Sequence, residues 1–253
     1  MKSPNEVRPT IVLIHGAGHG SWCWQKVTPL LEASGFNVMA LDLPGCSNDL
    51  ARLTGITLAD SVRTVMDAAN TVSDKVVLLG HSSGGVVISQ AAEWLGAEKI
   101  EKLIYLDAFL PQDGESVFSL AQKLKESTLP SATQDTVQPE LLIFEENGKA
   151  CMWNPAVVEQ IFYHDCLPED IAFAKSQLSW ESIASLATPV ELSNEIYGTI
   201  AKYYILCEEA QDLNKSSLPT FVHCENVYKL PSSHSPFFSM PHKLVEILID
   251  IHK

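Results

Sequence analysis

The stretch GHSSGG at residues 80–85 decides the fold, because it joins a strand-like run to a helix-like one. Residues 75–79 read KVVLL, and residues 86–92 read VVISQAA. A strand, a tight turn with one serine and a helix form the setting in which G-x-S-x-G acts as a nucleophile elbow. Glycines at 80 and 84 suit such a turn, since side chains there would obstruct it. The pattern predicts that Ser82 is a nucleophile exposed at the end of a strand.

Composition limits the class of protein. The chain has 253 residues, of which 46% are hydrophobic, which suits one large α/β core. With 31 acidic and 17 basic side chains, its formal charge of −14 repels a phosphate backbone and disfavours nucleic acid. The first nine residues lack an apolar signal segment, and no apolar run approaches the roughly 20 residues of a membrane span. We expect a cytoplasmic protein with no membrane partner and with reduced cysteines.

Apolar patterns alternate along most of the chain between strand and helix types. Strand-like runs occur at residues 10–14, 37–43, 75–79, 102–106, 202–206 and 226–230. Helix-like spacing occurs at residues 24–31, 57–69, 86–92 and 241–249. This alternation predicts an α/β fold with a doubly wound, mostly parallel sheet. Ligands of such sheets bind beyond the carboxyl ends of the strands, which is where Ser82 falls.

The alternation stops between residues 109 and 189. Helical patterns occur at 157–162 and 169–174, with one short strand pattern at 141–144. We interpret residues 109–189 as a mostly helical cap inserted into a single domain that covers residues 1–253. The apolar residues of this cap fit either of two roles, the wall of an acyl or aryl pocket or simple core packing. They include Phe118, Leu120, Trp153, Phe162 and Phe173.

A nucleophilic serine needs a base, and His234 is the candidate. It lies in the polar loop 231–236, after the last predicted strand and before the last helix. That position puts His234 on the same edge of the sheet as Ser82, and the order of serine before histidine suits an α/β-hydrolase.

An oxyanion hole is expected from backbone N–H groups. One is that of Ser83, after the nucleophile, and the other is that of Ala17, in the loop HGAGHG at residues 15–20. This loop lacks the spacing of a phosphate-binding loop. A metal site at its two histidines, His15 and His19, lacks a third ligand.

Five segments together resemble one branch of the α/β-hydrolases. They read HGAGHGSWCW (15–24), ALDLPG (40–45), GHSSGG (80–85), YLDAFLP (105–111) and CLPED (166–170). The chain is similar over nearly its whole length to plant methylesterases, hydroxynitrile lyases and their bacterial esterase relatives. The resemblance implies a Ser-His-acid triad, no metal or organic cofactor, small carboxylic esters as substrates and a homodimer. We expect Gly16, His81 and Phe109 to contact the substrate.

Two departures from this branch matter for function. The lyases resemble the esterases but carry a threonine at the position of Gly16 and a lysine at that of Ser235, directly after the catalytic histidine. That lysine holds the departing cyanide, so the sequence favours ester hydrolysis over a lyase reaction.

The second departure concerns the triad acid. The family aspartate stands three residues after the position of Cys207, where this chain has Ala210. Asp107, at the end of the strand after the elbow helix, is one replacement, unless it only braces its own loop. Asp212 is another, if the loop bulges by two residues. Glu208, Glu209 or a Ser-His dyad also stay open, as does a ligand-binding receptor that has lost turnover.

Overall fold

The structure is a computed structural model that describes residues 8–128 and 141–253. The first seven residues, where we expect no signal segment, lie outside the described residues. Residues 129–140 of the predicted cap lie outside them too. Within the described part, no helix is long and apolar enough to cross a membrane.

Six strands form a central parallel sheet, and four short strands form a second sheet. The strands are β1 (Thr10–Ile14), β2 (Asn37–Leu41), β3 (Cys46–Ser47), β4 (Val76–His81), β5 (Ile100–Leu106), β6 (Leu142–Phe144), β7 (Ala150–Trp153), β8 (Trp180–Ser182), β9 (Ala201–Cys207) and β10 (Asn226–Leu230). The central order is β10-β9-β5-β4-β1-β2, and all neighbouring pairs are parallel. The predicted doubly wound α/β sheet is therefore confirmed.

Eleven α-helices are present in the described residues. They are α1 (Thr28–Ala33), α2 (Leu50–Leu53), α3 (Leu58–Asn70), α4 (Gly84–Leu95), α5 (Val117–Thr128), α6 (Val158–Phe162), α7 (Pro168–Gln177), α8 (Ile183–Ala187), α9 (Leu218–Phe221), α10 (Pro236–Ser239) and α11 (Pro241–Asp250). The first predicted helix is divided into a 3₁₀ turn, Ser21–Trp24, and α1. Helix α3 begins with the predicted capping box, in which the Thr57 N–H donates to Asp60 at 2.8 Å.

Helices cover both faces of the central sheet. Val12 and Ile14 of β1 pack into one core cluster with residues of α3 and α4. Ile11 and Leu13 of the same strand pack into a second cluster with residues of α1 and α11. Because successive side chains point to opposite faces, a strand covered on both sides needs a continuous apolar run. This is why apolar runs in the sequence predict the strands of the central sheet.

Residues 109–189, which we call the insert, contain a sheet that the sequence did not predict. Helices α5 to α8 make up a little under half of its described residues. The second sheet is antiparallel with the order β3-β8-β7-β6, and its edge strand β3 comes from before the insert. Only β6 was expected. β7 and β8 have four and three residues, which is too short for a clear period of two.

Candidate active site

The turn after β4 has the geometry of a nucleophile elbow. Ser82 has a φ of 54°, and among the described non-glycine residues only Asp107, with a φ of 41°, is also positive. This left-handed backbone is unfavourable for residues with a Cβ and occurs mainly where surrounding structure enforces it. A Cβ at Gly80 would lie 2.6 Å from the Gly84 carbonyl oxygen. The glycines at both positions therefore allow the turn to close around Ser82.

His234 and Asp107 meet in the interior beside this turn. The Nδ1–H of His234 donates to Asp107 Oδ2 at 2.6 Å, and both side chains are almost fully buried. The Asp107 Oδ1 atom accepts from the backbone N–H of Cys207 at 3.3 Å. Since Nδ1 carries the proton, Nε2 is the ring nitrogen able to accept one. The sequence-predicted base and the first of the predicted acids are thus brought together.

The elbow and this pair are adjacent through His81. Its ring centre lies 4.4 Å from that of His234, and its Nε2–H donates to the His234 carbonyl oxygen at 2.9 Å. Burial and the neighbouring His234 lower the pKa of His81 well below its ordinary value, so the ring is neutral. The Ser82 hydroxyl has no hydrogen bond to a residue in the described ranges, and such bonds often tighten only when substrate binds.

A second carboxylate and a lysine complete the acid side of the site. Asp212 Oδ1 lies 3.7 Å from His234 Nδ1. Lys215 Nζ is fully buried and lies 3.0 Å from Asp107 Oδ2 and 2.5 Å from Asp212 Oδ2. Burial alone would raise the pKa of Asp107, but Lys215 and His234 outweigh it and hold that pKa below its ordinary value. Glu208 and Glu209, the other candidate acids, are exposed.

This cluster has the composition of a metal site but already contains a cation. Oxygen and nitrogen atoms of Asp107, Asp212 and His234 lie within 4.8 Å of one another. The Lys215 ammonium bridges the two carboxylates, so it supplies the positive charge that a metal would bring.

The histidines of the early loop hold that loop in place. His15 Nδ1–H donates to the Gly16 carbonyl at 2.8 Å, and its Nε2 accepts from the Leu43 N–H at 3.1 Å. His19 Nδ1–H donates to the Ala17 carbonyl at 2.9 Å, and its Nε2 accepts from the Tyr163 hydroxyl at 2.7 Å. Burial lowers the pKa of His19 to about 3. All four ring nitrogens are engaged, which leaves none for a metal.

The two N–H groups predicted for the oxyanion hole are unengaged in the part of the chain that the structure describes. Within residues 8–128 and 141–253, neither the Ala17 N–H nor the Ser83 N–H has a hydrogen-bond acceptor. Ser83 is also the residue that precedes α4, whose N-terminal end favours negative charge. The insert fixes the peptide unit that follows the Ala17 N–H, since Trp153 Nε1–H donates to the Ala17 carbonyl at 2.8 Å and Gly18 N–H donates to Glu181 at 3.1 Å.

A cavity of about 130 Å³ opens beside Ser82 and these N–H groups. Its lining is mostly apolar and includes Phe109, Phe118, Met152, Trp153, Leu186 and Leu213. Of the three expected substrate contacts, Phe109 lines the cavity, whereas His81 supports His234 and Gly16 packs against Ser82. Of the residues expected in a pocket or a core, Leu120 and Phe162 belong to the core clusters, and Phe173 is half-buried and packs against the second cluster.

Sequence reasoning missed Lys215 and Glu181. Lys215 follows Asp212 by three residues in a loop of polar residues, where an exposed lysine is the ordinary expectation. Glu181 belongs to the unpredicted strand β8, so its approach to Gly18 had no signal in the sequence.

Comparisons with known proteins agree with this fold. A model of the alpha/beta hydrolase family matches residues 11–247. Methylesterase 4 of Arabidopsis thaliana is 31% identical over 261 residues, covering 99% of this chain and 98% of its own. The crystal structure of polyneuridine aldehyde esterase superposes with a TM-score of 0.84 at 27% identity, covering 97% of this chain and 100% of that one.

Some relatives are longer than this chain. Putative methylesterase 11, a chloroplastic protein of Arabidopsis thaliana, is 29% identical over 252 residues. The match covers 95% of this chain but 63% of the relative.

Proposed function

Because this chain belongs to the alpha/beta hydrolase family, we propose that it is a serine carboxylesterase that hydrolyses small carboxylic esters. The observation that carries the proposal is the buried hydrogen bond from His234 to Asp107 beside the strained Ser82. A base oriented by a carboxylate and a serine presented by an elbow are the parts that acyl transfer requires.

The proposed reaction proceeds through an acyl-enzyme. Ser82 Oγ attacks the ester carbonyl while His234 Nε2 accepts its proton. The N–H groups of Ala17 and Ser83 stabilise the oxyanion, and His234 then protonates the departing alcohol. Water, activated by the same imidazole, attacks the acyl-enzyme and releases the acid. Asp107 keeps the proton of the imidazole on Nδ1 throughout, so that Nε2 faces the chemistry.

The chemistry of the cavity supports methyl, alkyl or aryl esters of apolar acids. Apolar side chains from the insert, including Phe109, form most of the lining, and Leu213 contributes from the loop after β9. An apolar wall binds acyl or aryl groups by removing them from water. The mechanism needs no metal or organic cofactor.

Two sequence features favour hydrolysis over the hydroxynitrile lyase reaction. Ser235 follows His234, so no lysine is available there to hold cyanide, and Ser235 is itself buried. A side chain at Gly16 would place its Cβ 2.7 Å from Ser82 Cβ, which excludes the lyase threonine without a shift of the elbow.

Turnover of p-nitrophenyl esters by the native protein and by Ser82→Ala tests this function. We expect turnover by the native protein and its loss in a folded Ser82→Ala variant. A folded native protein that releases aldehyde from a cyanohydrin, or that binds esters without turnover, would overturn the proposal in favour of a lyase or a receptor.

Two finer expectations belong to the same proposal. Related hydrolases are often dimers, and we propose a homodimer for this chain. We also propose a cytoplasmic location. Sedimentation analysis and localisation of a tagged protein test these separately.

A further inference from the structure

Lys215 is an unusual residue to find in the interior. Its side chain has no exposed surface, and its ammonium lies 3.0 Å from Asp107 Oδ2 and 2.5 Å from Asp212 Oδ2. A buried ammonium is costly unless charged partners surround it. Burial would lower the pKa of Lys215, but the two carboxylates outweigh burial and raise it, so the side chain stays charged.

The two carboxylates are not equivalent. Asp107 is held at both oxygens, since Oδ1 accepts from Cys207 N–H and Oδ2 accepts from His234 and Lys215. Asp212 is held at Oδ2 by Lys215. Its buried Oδ1 has no hydrogen-bond partner among the described residues and lies 3.7 Å from His234 Nδ1. Lys215 therefore bridges Asp107, which orients the imidazole, and Asp212, whose Oδ1 lies just beyond hydrogen-bond distance of His234 Nδ1.

We propose that Lys215 is a positioning residue that allows two carboxylates to flank one catalytic base. It fixes Asp107 for its bond to His234, and it balances the charge of Asp212. With both carboxylates ionised and Lys215 protonated, the net charge beside His234 is minus one, as in a triad with a single acid. The inference rests on the proposed function for the role of His234.

Other charged and titratable groups near His234 do not balance Asp212. They are His81 at the end of β4, His19 in the loop after β1, and Asp165, which accepts from the Ser233 N–H. The two histidines are buried with lowered pKa values and are neutral. Asp165 adds negative charge. Lys215, which contacts Asp212, therefore supplies the balancing positive charge.

Removing this cation should make His234 easier to protonate. In Lys215→Met, two negative charges face the imidazole without compensation, and a nearby opposite charge favours the charged form of a base. In the pH profile of kcat/KM, we expect the acidic limb, where activity falls as the base is protonated, to move to higher pH by about one unit or more. Lys215→Arg keeps the charge and should leave the limb near its native position.

A second substitution, which removes the negative charge of Asp212, should reverse this shift. Asp212→Asn combined with Lys215→Met restores a net charge of minus one, so the acidic limb should return toward the native pH. A lysine that only braces the loop predicts no such movement in either direction. If Lys215→Met fails to fold, the other two variants still test the charge. Asp212→Asn alone leaves a net charge of zero and should move the acidic limb to lower pH, whereas the double variant has the native charge of minus one and should leave the limb near its native position.

Titration of the His234 ring by NMR separates this inference from the proposed function. It reads protonation directly, with or without turnover, in the native protein and the same variants. The proposal is supported if the His234 titration moves to higher pH in Lys215→Met and returns toward its native pH in the double variant. A His234 titration that is the same in all of them overturns it, whereas absence of native ester turnover overturns the esterase assignment alone.

Discussion

The two sides of the cavity are built differently. On the sheet side, Ser82, Asp107 and His234 follow the carboxyl ends of β4, β5 and β10, and two of them have positive φ angles. On the insert side, short strands and helices supply apolar side chains such as Trp153. Backbone position therefore determines the reacting groups, whereas side-chain packing determines the cavity wall. Changes on the sheet side should abolish the chemistry, and changes in the insert should alter the choice of ester.

The largest expected effect separates the two carboxylates of the sheet side. Asp107→Asn should lower kcat by about 10⁴, as loss of the orienting acid does in serine proteases, because the imidazole then adopts the wrong tautomer. Asp212→Asn keeps the His234 bond and should lower kcat by less than about tenfold. Steady-state kinetics on one p-nitrophenyl ester compares them, and the reverse order would assign the acid to Asp212.

The next largest effect is on the free energy of unfolding. It compares Gly85, on the sheet side, with Gly114, in the insert. A Cβ at Gly85 would lie 2.1 Å from the Phe109 carbonyl oxygen, a backbone atom that is not free to move away. Gly85→Ala should therefore cost about 3 kcal/mol or more in the free energy of unfolding. Gly114, in the insert, has a φ of 78° and no neighbour within 4 Å, so Gly114→Ala should cost only about 1–2 kcal/mol. Urea unfolding measures both, and equal losses would contradict the steric account.

Local sequence patterns predict some of the residues in these two comparisons, whereas others depend on tertiary contacts. Continuous apolar runs and the elbow glycines specify the central sheet and the place of Ser82, since each is a local pattern. Asp107 was one of several candidate acids, because its approach to His234 joins residues 127 positions apart. Lys215 and Glu181 gave no local signal, because each reaches its partners through loops or short strands whose paths depend on tertiary packing.

His19 links the two sides, and it makes stability depend on pH. Its pKa is lowered to about 3 by burial, against about 6.5 in the unfolded chain, so the unfolded state binds a proton that the folded state excludes. Stability is therefore full above pH 6.5 and falls as the pH drops toward 3. Between pH 7 and pH 5, His19 alone should cost about 2 kcal/mol.

A matched pair of variants isolates this effect. In His19→Gln, the loss of stability between pH 7 and pH 5 should be smaller than in the native protein by that amount. His223, whose side chain is 85% exposed, supplies the control, since His223→Gln should leave the native pH dependence unchanged. Denaturant unfolding at both pH values is the measurement, and an unchanged dependence in His19→Gln would show that His19 is not the proton acceptor.

The smallest effect tests the insert. Met152 lines the cavity, so Met152→Ala should enlarge it and raise the preference for a longer acyl chain over acetyl by about tenfold in kcat/KM, with kcat on acetyl esters little changed. Phe144, on the neighbouring strand β6, is 55% exposed and does not line this cavity. Phe144→Ala should leave the preference unaltered. A fall in kcat on every ester with Met152→Ala would mean that the insert takes part in the chemistry.

The central claim is that Ser82 becomes acylated during turnover. Rapid mixing with a p-nitrophenyl ester, an acid quench and mass spectrometry of the digested protein measure this directly. We predict the acyl mass on the peptide that contains Ser82 in the native protein and no acyl mass in Ser82→Ala. Turnover without acylation, or an acyl group on another residue, would contradict the account.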